Sequence, residues 1–297
     1  MNEELRKAVY GFILGDALGV PFEFKRRGNF RCEGMEGCGT HNQPPGTWSD
    51  DTSMLIATCR SLKENGLKID LNDMREKFIL WLNEGDYTPF GETFDSGIAT
   101  SRALNTGVPQ DGEYSNGNGS LMRILPLAFV DCTDDDVRQV SAITHAHEIS
   151  KQACVIYVNI IKEYLRQNDE ARVGNDSGDP RGAKSLVDII KEIPEYKHPF
   201  DRLCRLDELG EDEIRSSGYV VDTLEAALWC ILRTDEEPDE GSKLARCLLR
   251  AVNLGDDTDT VAAVTGGLAG LIWPIEEVPQ DWIDEIKEKE LVEECLF

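Results

Sequence analysis

Three acidic residues within four positions precede an apolar segment near the end of this chain. Asp256, Asp257 and Asp259 lie in the stretch G-D-D-T-D-T at residues 255–260, the second acidic segment. The apolar residues that follow predict a buried helix over about residues 258–271, and its many small residues predict close packing. Like charges at the start of a buried helix repel one another, so they require a compensating positive charge or bulk solvent.

A similar arrangement opens another predicted helix much earlier in the sequence. Residues 46–57, the first acidic segment, read G-T-W-S-D-D-T-S-M-L-I-A. Taken singly, Ser49, Asp50 and Asp257 are ordinary helix N-caps. Because the two segments share the D-D-T pattern and together offer many hard oxygen ligands, the sequence favours a site for Mg²⁺, Mn²⁺ or Ca²⁺ over a zinc site.

Acidic residues outnumber basic residues by a wide margin. The 297 residues include 56 Asp plus Glu and 31 Lys plus Arg, for a formal net charge of -25, which disfavours non-specific binding to nucleic acid or an anionic membrane. Nine cysteines without C-x-x-C spacing indicate a reducing compartment, with Cys32 and Cys38 as a weak candidate pair for a disulfide or a metal. No signal peptide or membrane span is predicted, so we expect a cytoplasmic protein, and a monomer is favoured.

Apolar residues recur at helical spacing along most of the chain, and no set of β-branched runs alternates with turn pairs. The fold expected is an all-α, single-domain orthogonal helical bundle spanning residues 1–297. A polar surface loop is expected at residues 167–184. The helices are predicted at about residues 3–18, 50–63, 71–82, 98–104, 134–144, 149–165, 185–193, 203–208, 221–232, 242–252, 258–271 and 282–290.

Two loops outside the acidic segments carry residues that a helical scaffold does not obviously need. Glu23 lies just past Pro21, where it is either a solvated carboxylate or a general base or gate over the metals. Residues 117–120, G-N-G-S, precede a helix and either form an ordinary glycine-rich turn or cradle an anion with their N–H groups.

Three further residues have both a structural and a functional interpretation. His145 and His147 are two positions apart, which argues against a shared zinc ion and predicts that one of them reaches a ligand. Tyr219 is at a predicted helix start and either packs in the core or stacks on a planar ligand. Asp95 is an N-cap unless a cationic ligand group lies beside it.

Taken together, these motifs resemble the ADP-ribosylglycohydrolase family, which includes dinitrogenase-reductase-activating glycohydrolase and the ADP-ribosyl-acceptor hydrolases. The resemblance covers nearly the whole chain. The motifs occur in the order G-D-A-L-G-V-P-F-E, W-S-D-D-T, F-D-S-G, G-N-G-S-L-M-R, T-H, S-G-Y-V-V-D-T-L and G-D-D-T-D-T.

The resemblance implies an all-α hydrolase with a central cleft that holds two Mg²⁺ or Mn²⁺ ions. The implied metal ligands are Ser49, Asp50, Asp51, Asp257, Asp259 and Thr260. Ser49 stands where the family more often has threonine, and the hydroxyl ligand is retained. The implied ADP-ribose cradle is formed by Gly117, Asn118, Gly119, Ser120, Met122, His145 and Tyr219.

The implied reaction is hydrolysis of the glycosidic bond at the distal ribose of an ADP-ribosylated acceptor, with Glu23, Asp50 and Asp257 as the catalytic carboxylates. Asp95 matches the acid that faces the guanidinium in arginine-specific members, which suggests ADP-ribosyl-arginine on a protein as the substrate. Serine, nucleic-acid and O-acetyl-ADP-ribose linkages, with a small-molecule conjugate as substrate in the last case, remain alternatives.

Two interpretations from other classes are also open. Residues 257–261 fit the D-x-D-x-[TV] string of haloacid-dehalogenase-type phosphatases, but only 36 residues follow, whereas that motif should lie near the start of a domain. The other is a non-catalytic protein of the same fold that binds ADP-ribose. The retention of every acid in the two acidic segments argues against it.

Overall fold

Helices make up the regular secondary structure of this protein, seen in a computed structural model that describes residues 2–174, 185–192, 197–238 and 240–297. Those residues contain no strand, only three isolated bridge pairs. The all-α prediction is therefore confirmed. The α-helices are α1 Glu3–Gly19, α2 Asp50–Glu64, α3 Leu71–Glu84, α4 Ile98–Thr106, α5 Asp134–Ser141, α6 Glu148–Gly174, α7 Leu186–Glu192, α8 Val220–Asp235, α9 Lys243–Asn253, α10 Thr258–Ile272, α11 Gln280–Glu285 and α12 Lys289–Cys295.

The first helix and the tenth form the centre of the fold. Nearly every residue of α10 is buried, and it packs along α1 and also contacts α8 and α9. Glycines allow the two backbones to approach closely: a Cβ on Gly15 would lie 2.0 Å from the carbonyl oxygen of Ala262, and one on Gly11 would lie 2.3 Å from that of Gly266. The close packing predicted from the small residues of α10 is confirmed.

The predicted surface loop at residues 167–184 is wrong in its first part. α6 continues to Gly174 rather than ending near residue 165. Arg166 forms ion pairs with Glu163 and Glu170, one turn away on either side, and such pairs support an exposed helix that has little apolar content. The rest of that loop, residues 175–184, lies outside the described residues.

The predicted helix over residues 282–290 is also wrong, because α11 and α12 are separate helices. Ile286 is buried and its backbone is not helical, with φ -51° and ψ 126°, so helix α11 ends there. Glu288, just before α12, has a left-handed backbone. Lys289 then donates to the carbonyl oxygens of Ile283 and Asp284 at the end of α11. The chain therefore changes direction between the two helices at a buried apolar residue.

The structure also bears on the state of the cysteines and on the predicted absence of a membrane span. All nine cysteines are free, so Cys32 and Cys38 do not form a disulfide. Within the described ranges, no helix has both the length and the apolar character needed to cross a membrane.

Candidate active site

The first acidic segment is held in place by a carboxylate from α1. Asp16 is fully buried and accepts hydrogen bonds from the backbone N–H groups of Ser49 and Thr52, each at 3.0 Å, and from the Thr52 hydroxyl at 2.6 Å. Ser49 is the N-cap of α2, and its hydroxyl accepts from the N–H of Asp51. Asp16 therefore fixes the turn that carries the acids into α2.

The second acidic segment is attached to the same, C-terminal end of α1. Thr258 donates to the carbonyl oxygen of Gly19 at 2.7 Å, and a Cβ on Gly19 would lie 2.3 Å from the Cα of Asp259. Asp257 is the N-cap of α10, yet its side chain makes no capping bond within that helix. Its carboxylate accepts a hydrogen bond from the Asn118 side chain, outside the helix.

The two acidic segments meet in the interior. Oxygen atoms of Asp16, Asp51 and Asp259 lie within 4.8 Å of one another, and the Thr260 hydroxyl donates to Asp51 Oδ1 at 3.3 Å. Burial, followed by the charges of neighbouring carboxylates, raises the pKa of Asp51 and of Asp259 well above the ordinary value. Such a cluster of buried acids needs a cation for its charged form to be stable.

Asp51 provides the test of whether a metal ion fits. Its Oδ2 atom is buried and has no hydrogen-bond partner among the described residues. A buried carboxylate oxygen without a partner is costly, and the surrounding donors are oxygens of the kind that Mg²⁺ and Mn²⁺ prefer. The residues present therefore fit a hard divalent cation. Asp50, by contrast, is partly exposed at the start of α2.

Glu23 lies between the acids and the protein surface. It follows the short 3-10 helix Val20–Phe22, is only 6% exposed, and has an oxygen within 4.8 Å of oxygens of both Asp257 and Asp259. Burial, together with the charges of Asp95 and Asp257, raises the pKa of Glu23 to about 7, and a hydrogen bond with His41 opposes the shift. A carboxyl group whose pKa is raised in this way suits the role of a general acid or base.

A second group of side chains surrounds Glu23 on its outer side. Ligating atoms of Glu23, His41 and Asp95 lie within 4.8 Å of one another, and His41 is hydrogen-bonded to Glu23. The His41 ring centroid is 5.3 Å from that of Phe94 and 6.1 Å from that of Phe24, whose side chain is 69% exposed. These five residues, the acidic aromatic rim, combine two carboxylates with three rings.

The loop at residues 117–120 is joined to the second acidic segment. Gly117 pairs with Tyr219 in an isolated bridge, and the N–H of Asn118 donates to the carbonyl oxygen of Gly218 at 3.1 Å. The Asn118 side chain donates to Asp257 Oδ2 at 2.8 Å and to the Thr223 hydroxyl at 3.0 Å. The predicted cradle and the predicted metal ligands therefore adjoin.

The other predicted cradle residues differ in their placement. His145 lies against the loop, since a Cβ on Gly119 would be 2.9 Å from its Cε1, and Tyr219 is 36% exposed at the start of α8. Ser120 is fully buried and its hydroxyl is bonded to Ser141, in the interior. Met122 is packed in the hydrophobic core, within the 3-10 helix Leu121–Arg123.

Asp16 and His41 were not among the residues predicted from the sequence. Asp16 lies in the G-D-A-L-G motif near the end of α1. Its place in that motif was a signal that could have identified it. His41 lies in a glycine- and proline-rich loop, where nothing in the spacing indicates that it contacts Glu23.

A family model described as ADP-ribosylglycohydrolase matches residues 2–296. The chain belongs to the ADP-ribosylglycohydrolase family. Both the resemblance seen in the motifs and the prediction of a glycohydrolase are confirmed by this match.

Characterised relatives of this glycohydrolase are similar along most of their length. It is 30% identical to the ADP-ribosylarginine hydrolase Tri1 of Serratia proteamaculans, with 98% of this chain and 77% of that protein covered. It is 28% identical to the ADP-ribosyl-[dinitrogen reductase] glycohydrolase of Rhodospirillum rubrum, with 95% and 90% covered. A solved structure, an ADP-ribosylglycohydrolase-related protein complex, gives a TM-score of 0.73 at 30% identity, with 98% and 95% covered.

Proposed function

We propose that this glycohydrolase cleaves the N-glycosidic bond between the distal ribose of ADP-ribose and the guanidinium of an arginine on a protein. The observation that carries the proposal is the acidic aromatic rim, where Asp95, Glu23 and His41 adjoin the buried acids. A guanidinium is planar and cationic, so it is recognised by paired carboxylates and by the faces of aromatic rings. The name of the Serratia relative, an ADP-ribosylarginine hydrolase, supports the same acceptor.

We further propose that two divalent cations, Mg²⁺ or Mn²⁺, bind between the acidic segments. The residues that would hold them are Ser49, Asp50, Asp51, Asp257, Asp259 and Thr260. When bound, such ions bind the vicinal hydroxyls of a ribose, orient a water and stabilise developing charge. The orphan Oδ2 of Asp51 supports this assignment.

The catalytic roles are proposed for Glu23, Asp50 and Asp257. Glu23, whose pKa of about 7 results first from burial, takes the proton of the attacking water or gives a proton to the leaving nitrogen. The oxygen of that water forms a bond to the anomeric carbon as the bond from that carbon to the guanidine nitrogen breaks. The products are free ADP-ribose and an unmodified arginine side chain.

The remaining substrate contacts are assigned to the loop at residues 117–120 and its neighbours. We propose that Gly117, Asn118, Gly119, His145 and Tyr219 line the ADP-ribose cradle, while Ser120 and Met122 support the loop from beneath. We also propose that the enzyme is a cytoplasmic monomer with one domain over residues 1–297. The single-domain part is supported by contacts such as that of Thr258 with Gly19, which join distant parts of the chain.

A panel of defined substrates tests this function. Purified protein with Mg²⁺ or Mn²⁺ is incubated with peptides ADP-ribosylated on arginine or on serine, with an ADP-ribosylated oligonucleotide and with O-acetyl-ADP-ribose, and released ADP-ribose is measured by chromatography. We expect the arginine linkage to be cleaved fastest and EDTA to abolish cleavage. A clear preference for any other linkage, or cleavage that is unaffected by EDTA, contradicts the proposal.

Matched variants distinguish catalysis from a contaminating activity. Asp50→Ala and Asp259→Ala are expected to abolish release of ADP-ribose. Asp256→Asn serves as the control, because Asp256 lies in the same acidic segment but is exposed, and asparagine tolerates its left-handed backbone. Equal loss of activity in all three variants would indicate general damage to the segment.

A further inference from the structure

Arg123 is a fully buried arginine at the end of the cradle loop. Its guanidinium donates to the carbonyl oxygen of Gly119 at 2.6 Å and to the Thr144 hydroxyl at 2.9 Å, and it lies 4.7 Å above the ring of Phe78. In the part of the chain that the structure describes, no carboxylate forms an ion pair with it. Burial lowers the pKa of Arg123 to about 10, which still leaves a cation at neutral pH.

The Thr144 hydroxyl connects Arg123 to His145 through two hydrogen bonds. The Thr144 hydroxyl has one proton and two lone pairs, and one lone pair accepts from Arg123. The other partner that the structure gives to this buried hydroxyl is Nδ1 of His145, at 2.8 Å. Arg123 has no lone pair to receive the hydroxyl proton, and no other acceptor for it is found among the described residues. Donation of that proton to an unprotonated Nδ1 is therefore the arrangement that leaves neither group unsatisfied.

This arrangement places the ring proton of His145 on Nε2. This nitrogen lies 3.7 Å from the position of a Cβ on Gly117 and 3.4 Å from that of a Cβ on Gly119, so it lies directly beside the two glycines of the loop. No residue within the described ranges is hydrogen-bonded to it. Burial and the adjacent Arg123 charge lower the pKa of His145 to about 3, so the ring is neutral under ordinary conditions.

We propose that Arg123 is a positioning residue which, through Thr144, holds His145 as the Nε2–H tautomer, so that Nε2–H donates to an acceptor oxygen of bound ADP-ribose. Only the identity of the ligand rests on the proposed function; the hydrogen-bond relay itself exists in the free protein. An unpaired guanidinium suits this role, because a carboxylate partner would compete with Thr144 for its N–H groups.

The tautomer is measured directly by ¹⁵N NMR of the histidine rings in the full-length, ligand-free protein with Mg²⁺. His145→Gln identifies the signal of that ring. We expect a protonated Nε2 and an unprotonated Nδ1. Thr144→Val should move the two nitrogen shifts towards each other, as a mixture of tautomers forms, whereas Thr144→Ser should leave them unchanged.

Binding of ADP-ribose, measured by calorimetry with Mg²⁺, provides the second readout. We expect Thr144→Val to weaken binding about fivefold to tenfold, the effect of one lost hydrogen bond. Thr144→Ser keeps the hydroxyl and should bind ADP-ribose as the wild type does. In a His145→Gln background, Thr144→Val should have no further effect, because the glutamine amide carries its own donor. A merely structural role for Thr144 would weaken binding equally in both backgrounds.

Two results would overturn the relay. The first is a wild-type spectrum with the proton on Nδ1, which needs no variant and so remains decisive if Thr144→Val does not fold. The second is an unchanged tautomer in a folded Thr144→Val protein. If the wild-type protein neither binds ADP-ribose nor releases it from any substrate, the proposed function fails, while the NMR experiment still decides the relay.

Discussion

The hydroxyl of Thr260 donates to Asp51 Oδ1 at 3.3 Å, although 209 positions separate the two residues in sequence. Asp51 lies in the first turn of α2 and Thr260 in the first turn of α10. The N-termini of two helices therefore converge on one group of carboxylates. Their dipoles stabilise negative charge there, but only partly, because the acids are buried and close together.

Asp51→Asn is expected to have opposite effects on stability and on activity. Without metal it removes a buried, unpartnered carboxylate oxygen, so the free energy of unfolding in EDTA should rise by about 1–2 kcal/mol. With Mg²⁺ it removes a ligand, so ADP-ribose release should fall at least about 100-fold. Urea unfolding and initial rates measure the two effects.

The same variant tests whether the ion binds between the acidic segments. Saturating Mg²⁺ at about 100 times its Kd should stabilise the wild-type protein by about 2.7 kcal/mol and should stabilise Asp51→Asn much less. Asp256→Asn, the exposed neighbour control, should respond as the wild type does. An equal response of Asp51→Asn and wild type to Mg²⁺ would place the ion elsewhere.

The metal-free protein should become more stable as the pH falls from 7.5 to 5.5. Burial raises the pKa of Asp16 from 3.8 to about 6, so the folded state holds this proton more tightly than the unfolded state. The stabilisation is complete below about pH 4 and is lost as the pH rises through 6, with a magnitude of up to about 3 kcal/mol. Urea unfolding in EDTA at several pH values measures it.

Saturating Mg²⁺ should reverse this pH dependence, because ion binding favours the deprotonated carboxylates. Asp16→Asn should reduce the dependence in EDTA without abolishing it, because the pKa values of Glu23, Asp51 and Asp259 are raised as well. Metal-free wild-type protein that loses stability over the same pH decrease would contradict the assignment of raised pKa values to these buried acids.

Asp95→Asn should weaken recognition of the acceptor part of the substrate and leave binding of the ADP-ribose part unchanged. Asp95 adjoins Glu23 and His41 at the acidic aromatic rim, where removal of its charge weakens recognition of a guanidinium. We expect kcat/KM for an ADP-ribosyl-arginine peptide to fall about 10-fold to 100-fold. The affinity for free ADP-ribose, measured by calorimetry, should change by less than about twofold.

Glu92→Gln is the matched control for Asp95→Asn, since Glu92 is an exposed acid in the same loop. Its kcat/KM should stay close to that of the wild type. A decrease in ADP-ribose affinity as large as the decrease in kcat/KM would assign Asp95 to the cradle instead of the acceptor.

Gly15→Ala should destabilise the protein through the contact between α1 and α10. The new methyl group would lie 2.0 Å from the carbonyl oxygen of Ala262, so the two helix backbones must separate. We expect a loss of about 3 kcal/mol or more in the free energy of unfolding and weaker Mg²⁺ binding. Gly112→Ala, where the nearest atom is a Ser115 hydroxyl 3.5 Å away, should have little effect on either.

The sequence predicted the helices well wherever apolar spacing determines them. α10 is an example, because its apolar and small residues leave little alternative to a buried helix, and its observed span of Thr258–Ile272 agrees with the predicted one. The breaks near Ile286 and the extension of α6 to Gly174 were not predicted, because each depends on contacts between side chains that local periodicity does not encode.

The candidate site divides in the same way. The sequence predicted the two acidic segments at helix starts as part of the site, and it predicted Glu23 from its motif. Contacts between distant loops were not predicted. Nothing in the spacing relates His41 to Glu23, or Arg123 to Thr144, since both relationships arise from how the chain packs.

The pairing of α1 with α10 also determines when, during translation, the enzyme becomes functional. Thr258 contacts Gly19 across 239 positions of sequence, so α1 is synthesised long before its matching helix emerges from the ribosome. Until then the nascent chain lacks the carboxylates of the second acidic segment, and the face of α1 that packs on α10 is uncovered. The site therefore cannot assemble until α10 has been synthesised.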